Sequence, residues 1–401
     1  MNVDTTAAKV TEREREILAT LKEIKAASGS HSPSLFTLSD RIPDLQVNID
    51  ACFLSNPYAT DLFIERMTSE LVETGAMRKV LEAYPSPNNH VASLLAPTLG
   101  VDPAQIFVCN GAIEAIQAAM HRFAGTRVGV ILPTFSPYYE YLRADQEVFY
   151  YKLDRANDFA LDVNDFREWV LRNDLDTVCL INPNNPNGGY VPAKLMRGLL
   201  EALAHLELVV LDESFVDFAW EDAERNRTSL TTDAAAQGNV MLVKSMSKDF
   251  GVAGLRAGYA VMAPERVEAL VGNGFLWNIS GLTEYFFRLF TDPRFQADYA
   301  WARLRYLAEA EPFFGALGAV DGLKAYPSKA NFVLVELDRT VPIELVAPLL
   351  LIRNGVYVRD CRDKIGLEDG QYIRVASRKG FENDQIVAAF EDVVAACRTD
   401  G

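Results

Sequence analysis

The stretch VKSMSKDFGVAGLRAGY (Val243–Tyr259) closes an apolar run and then sets two hydroxyls, an amine and a guanidinium (Ser245, Ser247, Lys248 and Arg256) in one glycine-punctuated loop. A lysine in such a loop is by itself most simply a solvated side chain, and a motif this short takes its meaning from what surrounds it. The reading of Lys248 therefore depends on the other strand-like runs of the chain.

Those runs are short, β-rich and separated by helical patterns: IFVC (106–109), RVGVIL (127–132), EVFYY (147–151), TVCLI (177–181), LVVLD (208–212), VMLVKS (240–245) and AGYAVM (257–262). Continuous apolar runs alternating with helices predict a mainly parallel seven-stranded sheet covered on both faces, an α/β fold. A long helical region spans 281–318, and NFVLVEL (331–337), VYVRD (356–360) and YIRVA (372–376) then interleave with helices, which predicts a smaller α/β domain. The expected organisation is an N-terminal arm with part of the small domain in 1–60, a large domain in 61–290 and the rest of the small domain in 291–401. Within the arm, Thr11 and Glu14 have the spacing of a capping box ahead of an amphipathic helix that stops at Gly29.

In open parallel sheets, ligands sit beyond the carboxyl ends of the strands. After IFVC comes a glycine turn opening a helix, whose N–H groups at Gly111, Ala112 and Ile113 suit a phosphate. After RVGVIL, Phe135 offers an aromatic face. After TVCLI, two prolines stiffen NPNNPNGGY and fix Asn185 as a donor. Asp212 ends an apolar run, where a carboxylate is costly unless a cation or donor meets it. Ser245, Ser247 and Arg256 then make an anion cradle beside Lys248. One ligand answers all of these groups: pyridoxal phosphate. Lys248 would carry the imine, Asp212 would keep the ring nitrogen protonated, and Asn185 would bond the ring oxygen.

With Asn-Pro-x-Gly, Asp, Ser-x-Ser-Lys and Arg in this order, the chain resembles the class I/II aminotransferases of the fold-type I pyridoxal-phosphate enzymes over nearly its whole length. SNPY (55–58), YPSPNNHVASLL (84–95), SKANFVLVEL (328–337), GVYVRDC (355–361) and YIRVAS (372–377) resemble the branch that holds histidinol-phosphate aminotransferase and threonine-phosphate decarboxylase. The resemblance implies a homodimer in which Tyr84 reaches the cofactor phosphate of the neighbouring subunit. It also implies a substrate carboxylate clamp at Arg374, a contact from Arg359 to a second substrate anion, and substrate contacts from Asn56 and Tyr58. Trp277, Asn278 and Ser280 fall where the family lines its site, with no role assigned. Two departures stand out. Phe215 replaces the tyrosine whose hydroxyl bonds the cofactor ring oxygen, as threonine-phosphate decarboxylases also tend to show, and Ile113 stands where histidinol-phosphate aminotransferases often carry an acid.

The resemblance implies an amino substrate with a second anionic group, and transamination is the leading expectation. The alternatives are decarboxylation of a phospho- or phosphono-amino acid, and elimination or C–C bond formation. A net charge of −16 disfavours nucleic acid and anionic membrane as partners. Five scattered cysteines suggest neither disulfides nor a metal site. The first 30 residues carry no apolar signal-like core and no apolar run is long enough for a bilayer, which reads as a cytoplasmic protein.

Overall fold

The computed structural model describes residues 10–275 and 277–398. These residues divide into two compact units, one made of 10–54, Pro186–Gly188 and 307–398, the other of Ser55–Asn185 and Gly189–Tyr306. The sequence reading drew its divisions at 60/61 and 290/291.

Strand β1 (Ile49–Asp50) lies in the first unit. The second unit is built on seven strands: β2 (Ile106–Asn110), β3 (Arg127–Leu132), β4 (Glu147–Lys152), β5 (Thr177–Ile181), β6 (Leu208–Asp212), β7 (Val240–Ser245) and β8 (Ala257–Val261). They lie in the order β2-β8-β7-β6-β5-β3-β4. Every residue of β6, β7 and β8 is buried, so their apolar runs are continuous rather than alternating. β8 runs antiparallel to both of its neighbours and the other ladders are parallel.

The first unit carries β9 (Leu323–Ala325), β10 (Phe332–Leu337), β11 (Val356–Tyr357), β12 (Arg359–Asp360) and β13 (Tyr372–Ala376). Four of these form an antiparallel sheet ordered β12-β13-β10-β9, while β11 pairs in parallel with β1. VYVRD is therefore two strands, because its two halves bond to different partners on either side of Val358. Helices Ile343–Asn354 and Gly380–Cys397 cover this sheet with Leu345, Leu349, Ile386, Phe390 and Val393.

The helical region expected as one piece is two helices, Gly281–Thr291 and Pro293–Ala319. Asp292 stops the first and caps the second, its Oδ1 accepting from the Arg294 N–H at 2.7 Å, and Pro293 brings no N–H that needs a partner. The first helix, Glu12–Ala27, has both bonds of the capping box between Thr11 and Glu14. It packs within its own unit, burying Ile24 against Leu38, Ile42 and Leu351, with Glu14 paired to Arg353 at 2.7 Å. No helix among the described residues is long and apolar enough to cross a membrane.

Candidate active site

The order of the sheet assembles the anion cradle. β8 lies between β2 and β7, with Asn110 opposite Ala257 and Ser245 opposite Gly258, so the end of β2, the start of β8 and the end of β7 meet at one edge. The packing there leaves room only for glycine. A Cβ on Gly258 would sit 2.7 Å from the Ala112 nitrogen, and one on Gly111, which has φ +75°, would sit 2.3 Å from the Arg256 guanidinium. Arg256 therefore lies against the Gly111 turn, next to the first-turn N–H groups of Ala112 and Ile113 that lack helical acceptors. Ser245 and Ser247 are buried at the same edge, the Ser247 N–H donating to Ser245 Oγ at 3.2 Å.

Asp212 closes β6, in register with Ile181 of β5 and Val243 of β7. Burial raises its pKa above the ordinary carboxylate value, while hydrogen bonds from Ser214 and Tyr138 and the charge of Lys244 work against that rise. Its Oδ1 accepts from the Ser214 N–H at 2.8 Å, and its Oδ2 from the Tyr138 hydroxyl at 2.8 Å. A buried carboxylate held by neutral donors still lacks a full cation, and a protonated heterocyclic nitrogen supplies one.

Beyond β5 the Asn loop is stitched into place. Asn182 accepts from the Val191 N–H at 2.8 Å and donates back to the Val191 carbonyl at 2.9 Å, and Asn184 donates to the Pro133 carbonyl at 2.9 Å. These bonds fix the backbone that carries the buried Asn185. Phe135 is half-buried, edge-on to Tyr138 with ring centroids 6.5 Å apart, and Phe215 is buried three residues past Asp212.

Lys248 is half-buried, and its carbonyl accepts from the Asn56 N–H at 2.8 Å. Asn56 is fully buried and caps helix Pro57–Met67 through its Oδ1, whereas its Nδ2 has no hydrogen-bond partner among the described residues. A buried amide donor left over beside the lysine suits a ligand oxygen. The Tyr58 ring carries the Arg305 guanidinium 4.3 Å from its centroid.

Tyr84 is 80% exposed and lies against Trp277, which is 50% exposed, with centroids 5.0 Å apart. Asn278 and Ser280 have local duties: Asn278 Nδ2 donates to the Val108 carbonyl at 2.9 Å and Glu114 at 2.8 Å, and Ser280 caps helix Gly281–Thr291.

In the other unit, Arg359 and Arg374 stand directly opposite one another across the β12–β13 ladder, which puts both side chains on one face. Arg359 donates to both oxygens of Asp363 at 2.8 Å and to the Ser30 carbonyl at 2.7 Å, and Arg374 donates to the Cys52 carbonyl at 2.9 Å. Lys364 is buried nearby, and its pKa falls to about 8, first through burial and then through the Arg359 charge. Like charges facing one another across a ladder are destabilising, so this face suits a strongly anionic ligand.

The sequence reading did not single out Tyr138, Lys364 or Lys244. The tyrosine pair after Phe135 was visible, but which of the two reaches Asp212 depends on the turn that follows β3. Lys244 was visible as a cation inside an otherwise apolar strand.

A glycine-lined anion cradle, a buried carboxylate, a fixed amide and a lysine within one unit are the donor set that pyridoxal phosphate requires. Residues 55–376 match the model of the family described as aminotransferase class I and II, and the chain belongs to that family of pyridoxal-phosphate enzymes. Among its relatives, an L-serine phosphate decarboxylase of Campylobacter jejuni is 45% identical over 96% of this chain and 98% of its own. A decarboxylase structure from Sulfurospirillum multivorans superposes with a TM-score of 0.93 at 40% identity, covering 99% of this chain and all of its own. A histidinol-phosphate aminotransferase of Methanocaldococcus jannaschii is 28% identical over 79% of this chain and 82% of its own, which agrees with the branch read from the sequence.

Proposed function

We propose that this enzyme decarboxylates O-phospho-L-serine, releasing carbon dioxide and leaving the phosphorylated amine. The observation that carries the reading is the near end-to-end alignment at 45% identity with an L-serine phosphate decarboxylase. Transamination, the leading expectation from the sequence, thereby gives way to its alternative. The hydroxyl missing at Phe215 points the same way.

When bound, pyridoxal phosphate supplies a sink for the electron pair released as the bond from the α-carbon to the carboxylate breaks. The Gly111 turn, Ala112, Ile113, Ser245, Ser247 and Arg256 would hold its phosphate, Phe135 would cover its ring and Asn185 would bond its ring oxygen. Asp212 keeps a proton on the ring nitrogen, oriented by Tyr138 and Ser214. Lys248 would anchor the cofactor, and its amine would deliver the proton that replaces carbon dioxide on the α-carbon. Arg359 and Arg374 take the anions of the substrate, and the fork of a guanidinium suits a phosphate. Asn56 donates its spare amide hydrogens, and Tyr58 borders the substrate. Tyr84, too exposed to serve its own subunit's core, reaches the partner of a homodimer.

The test is a substrate panel on the loaded enzyme: O-phospho-L-serine, L-serine, O-phospho-L-threonine, and histidinol phosphate with a keto-acid acceptor. A site built around a charged group rejects the analogue that lacks it by roughly 10⁴-fold, so kcat/KM for O-phospho-L-serine should exceed that for L-serine by about this factor. Amino transfer from histidinol phosphate faster than carbon dioxide release from O-phospho-L-serine would overturn the reading.

A further inference from the structure

Behind the sheet, on the face opposite the anion cradle, lies a group of buried charges that the proposed chemistry does not use directly. Successive side chains of a strand point to opposite faces, so Lys244 leaves β7 on the side away from Ser245. Its Nζ lies 2.8 Å from Asp249 Oδ2, 3.4 Å from Asp217 Oδ2 and 3.3 Å from the Glu213 carbonyl. Lys244, Asp249, Asp217 and Glu213 are all buried. Arg227 adds a charge 3.5 Å from Asp217, Arg303 donates to the Asp217 carbonyl, and Tyr259 stands opposite Lys244 in the ladder.

Stability alone is a poor reason for this arrangement. Replacing all partners of a buried ion pair together by apolar groups of similar volume is often neutral or stabilising, so an apolar set at these positions would serve the core as well. The chain positions of the partners are more telling. Glu213 and Asp217 sit one and five residues after Asp212, and Asp249 directly follows Lys248. One ammonium thus ties the segment behind the carboxylate to the segment behind the amine.

Resting on the assignment of Asp212 and Lys248 above, we infer that Lys244 is a positioning residue that sets the separation of these two groups. The electrostatics agree. From the far face of the sheet the Lys244 charge opposes the rise that burial imposes on Asp212. A site whose supporting groups are loosened keeps its parts but loses their register.

The experiment compares loaded enzyme carrying Lys244→Met, Lys244→Arg and the double change Lys244→Met/Asp249→Asn, which removes a buried carboxylate with the ammonium and so remains foldable where the single change fails. Lys244→Met, or the double variant in its place, should retain the cofactor's absorbance while kcat falls roughly 10-fold or more, the usual effect of removing a group that supports a ligand-binding residue. The acid limb of the kcat profile should move to higher pH by about one unit, because Asp212 then takes up its proton more readily. Lys244→Arg should return the limb to its wild-type position. A limb that stays in place in a folded Met or double variant, with activity lost only in proportion to folded protein, would make Lys244 merely structural and overturn the inference. Lys248→Ala separates the two levels: if it keeps the absorbance of a lysine-bound cofactor, the site assignment fails and the positioning role falls with it.

Discussion

At the scale of the residue, Asp212 and the Phe215 ring three positions after it carry the proposed chemistry. Asp212 receives two neutral hydrogen bonds at 2.8 Å in a buried setting, so under the proposed assignment a protonated ring nitrogen would give it the directly bonded cation that these donors lack. An asparagine keeps the shape and loses the charge. Asp212→Asn should bind cofactor through the intact cradle of Ser245 and Arg256, yet turn over about 10²- to 10³-fold more slowly, the usual loss when one preorganised electrostatic group is removed. Absorbance of the bound cofactor alongside initial rates checks this, and near-normal turnover would remove Asp212 from its role. Phe215 makes a second residue-scale prediction. Phe215→Tyr gives the ring oxygen a donor that the wild type lacks, and should lower the pKa of the bound chromophore by about one unit, or 1.4 kcal/mol. A spectral titration that superimposes on the wild type would show that another group already occupies that place.

Among the elements, β6 and the turn after it combine chemistry with a stability cost. Glu213 accepts from Ser229 Oγ at 2.5 Å and the Leu230 N–H at 2.8 Å, and burial lifts its pKa from 4.5 to about 7. The folded state therefore holds this proton more tightly than the unfolded chain. Its contribution is full below pH 4.5 and is lost as pH rises to about 7. The difference amounts to about 3 kcal/mol. Glu213→Gln keeps one acceptor and removes the charge, so its melting temperature relative to wild type should rise between pH 5 and pH 8, and an unchanged difference across that range would contradict the burial argument. The strands were legible in the sequence because runs such as TVCLI and LVVLD are buried on both faces and need no alternation. Direction was not legible: β8 is as apolar as the parallel strands of the sheet, and only the connection from Ser245 to Arg256 sends it back. The break of VYVRD at Val358 and of the long helix at Asp292 depends on partners distant in the chain or on a cap, which an apolar pattern does not encode.

For the molecule as a whole, the residues proposed from the sequence for the cofactor lie close together in the fold because most of them follow a strand at the same end of one sheet. Lys248, Asp212, Asn185 and the Gly111 turn all lie in the unit made of Ser55–Asn185 and Gly189–Tyr306. Tyr138 and Lys244 could not be read that way, since their partners are set by register and by the packing behind the sheet. The reaction was least legible of all. Residue types at the site are shared by enzymes that break different bonds at the same carbon, and the bond that breaks is the one held in line with the cofactor's ring orbitals. The proposed decarboxylation is therefore tested most directly by following carbon rather than residues. Loaded enzyme given O-phospho-L-serine labelled in its carboxylate, with a keto acid present and in deuterated water, should release one labelled carbon dioxide for each substrate consumed. The amine product should carry one deuterium on the former α-carbon, with no amino group passed to the keto acid. Label retained in a keto-acid product, with the acceptor converted to its amino acid in equal amount, would make the enzyme an aminotransferase and contradict the account.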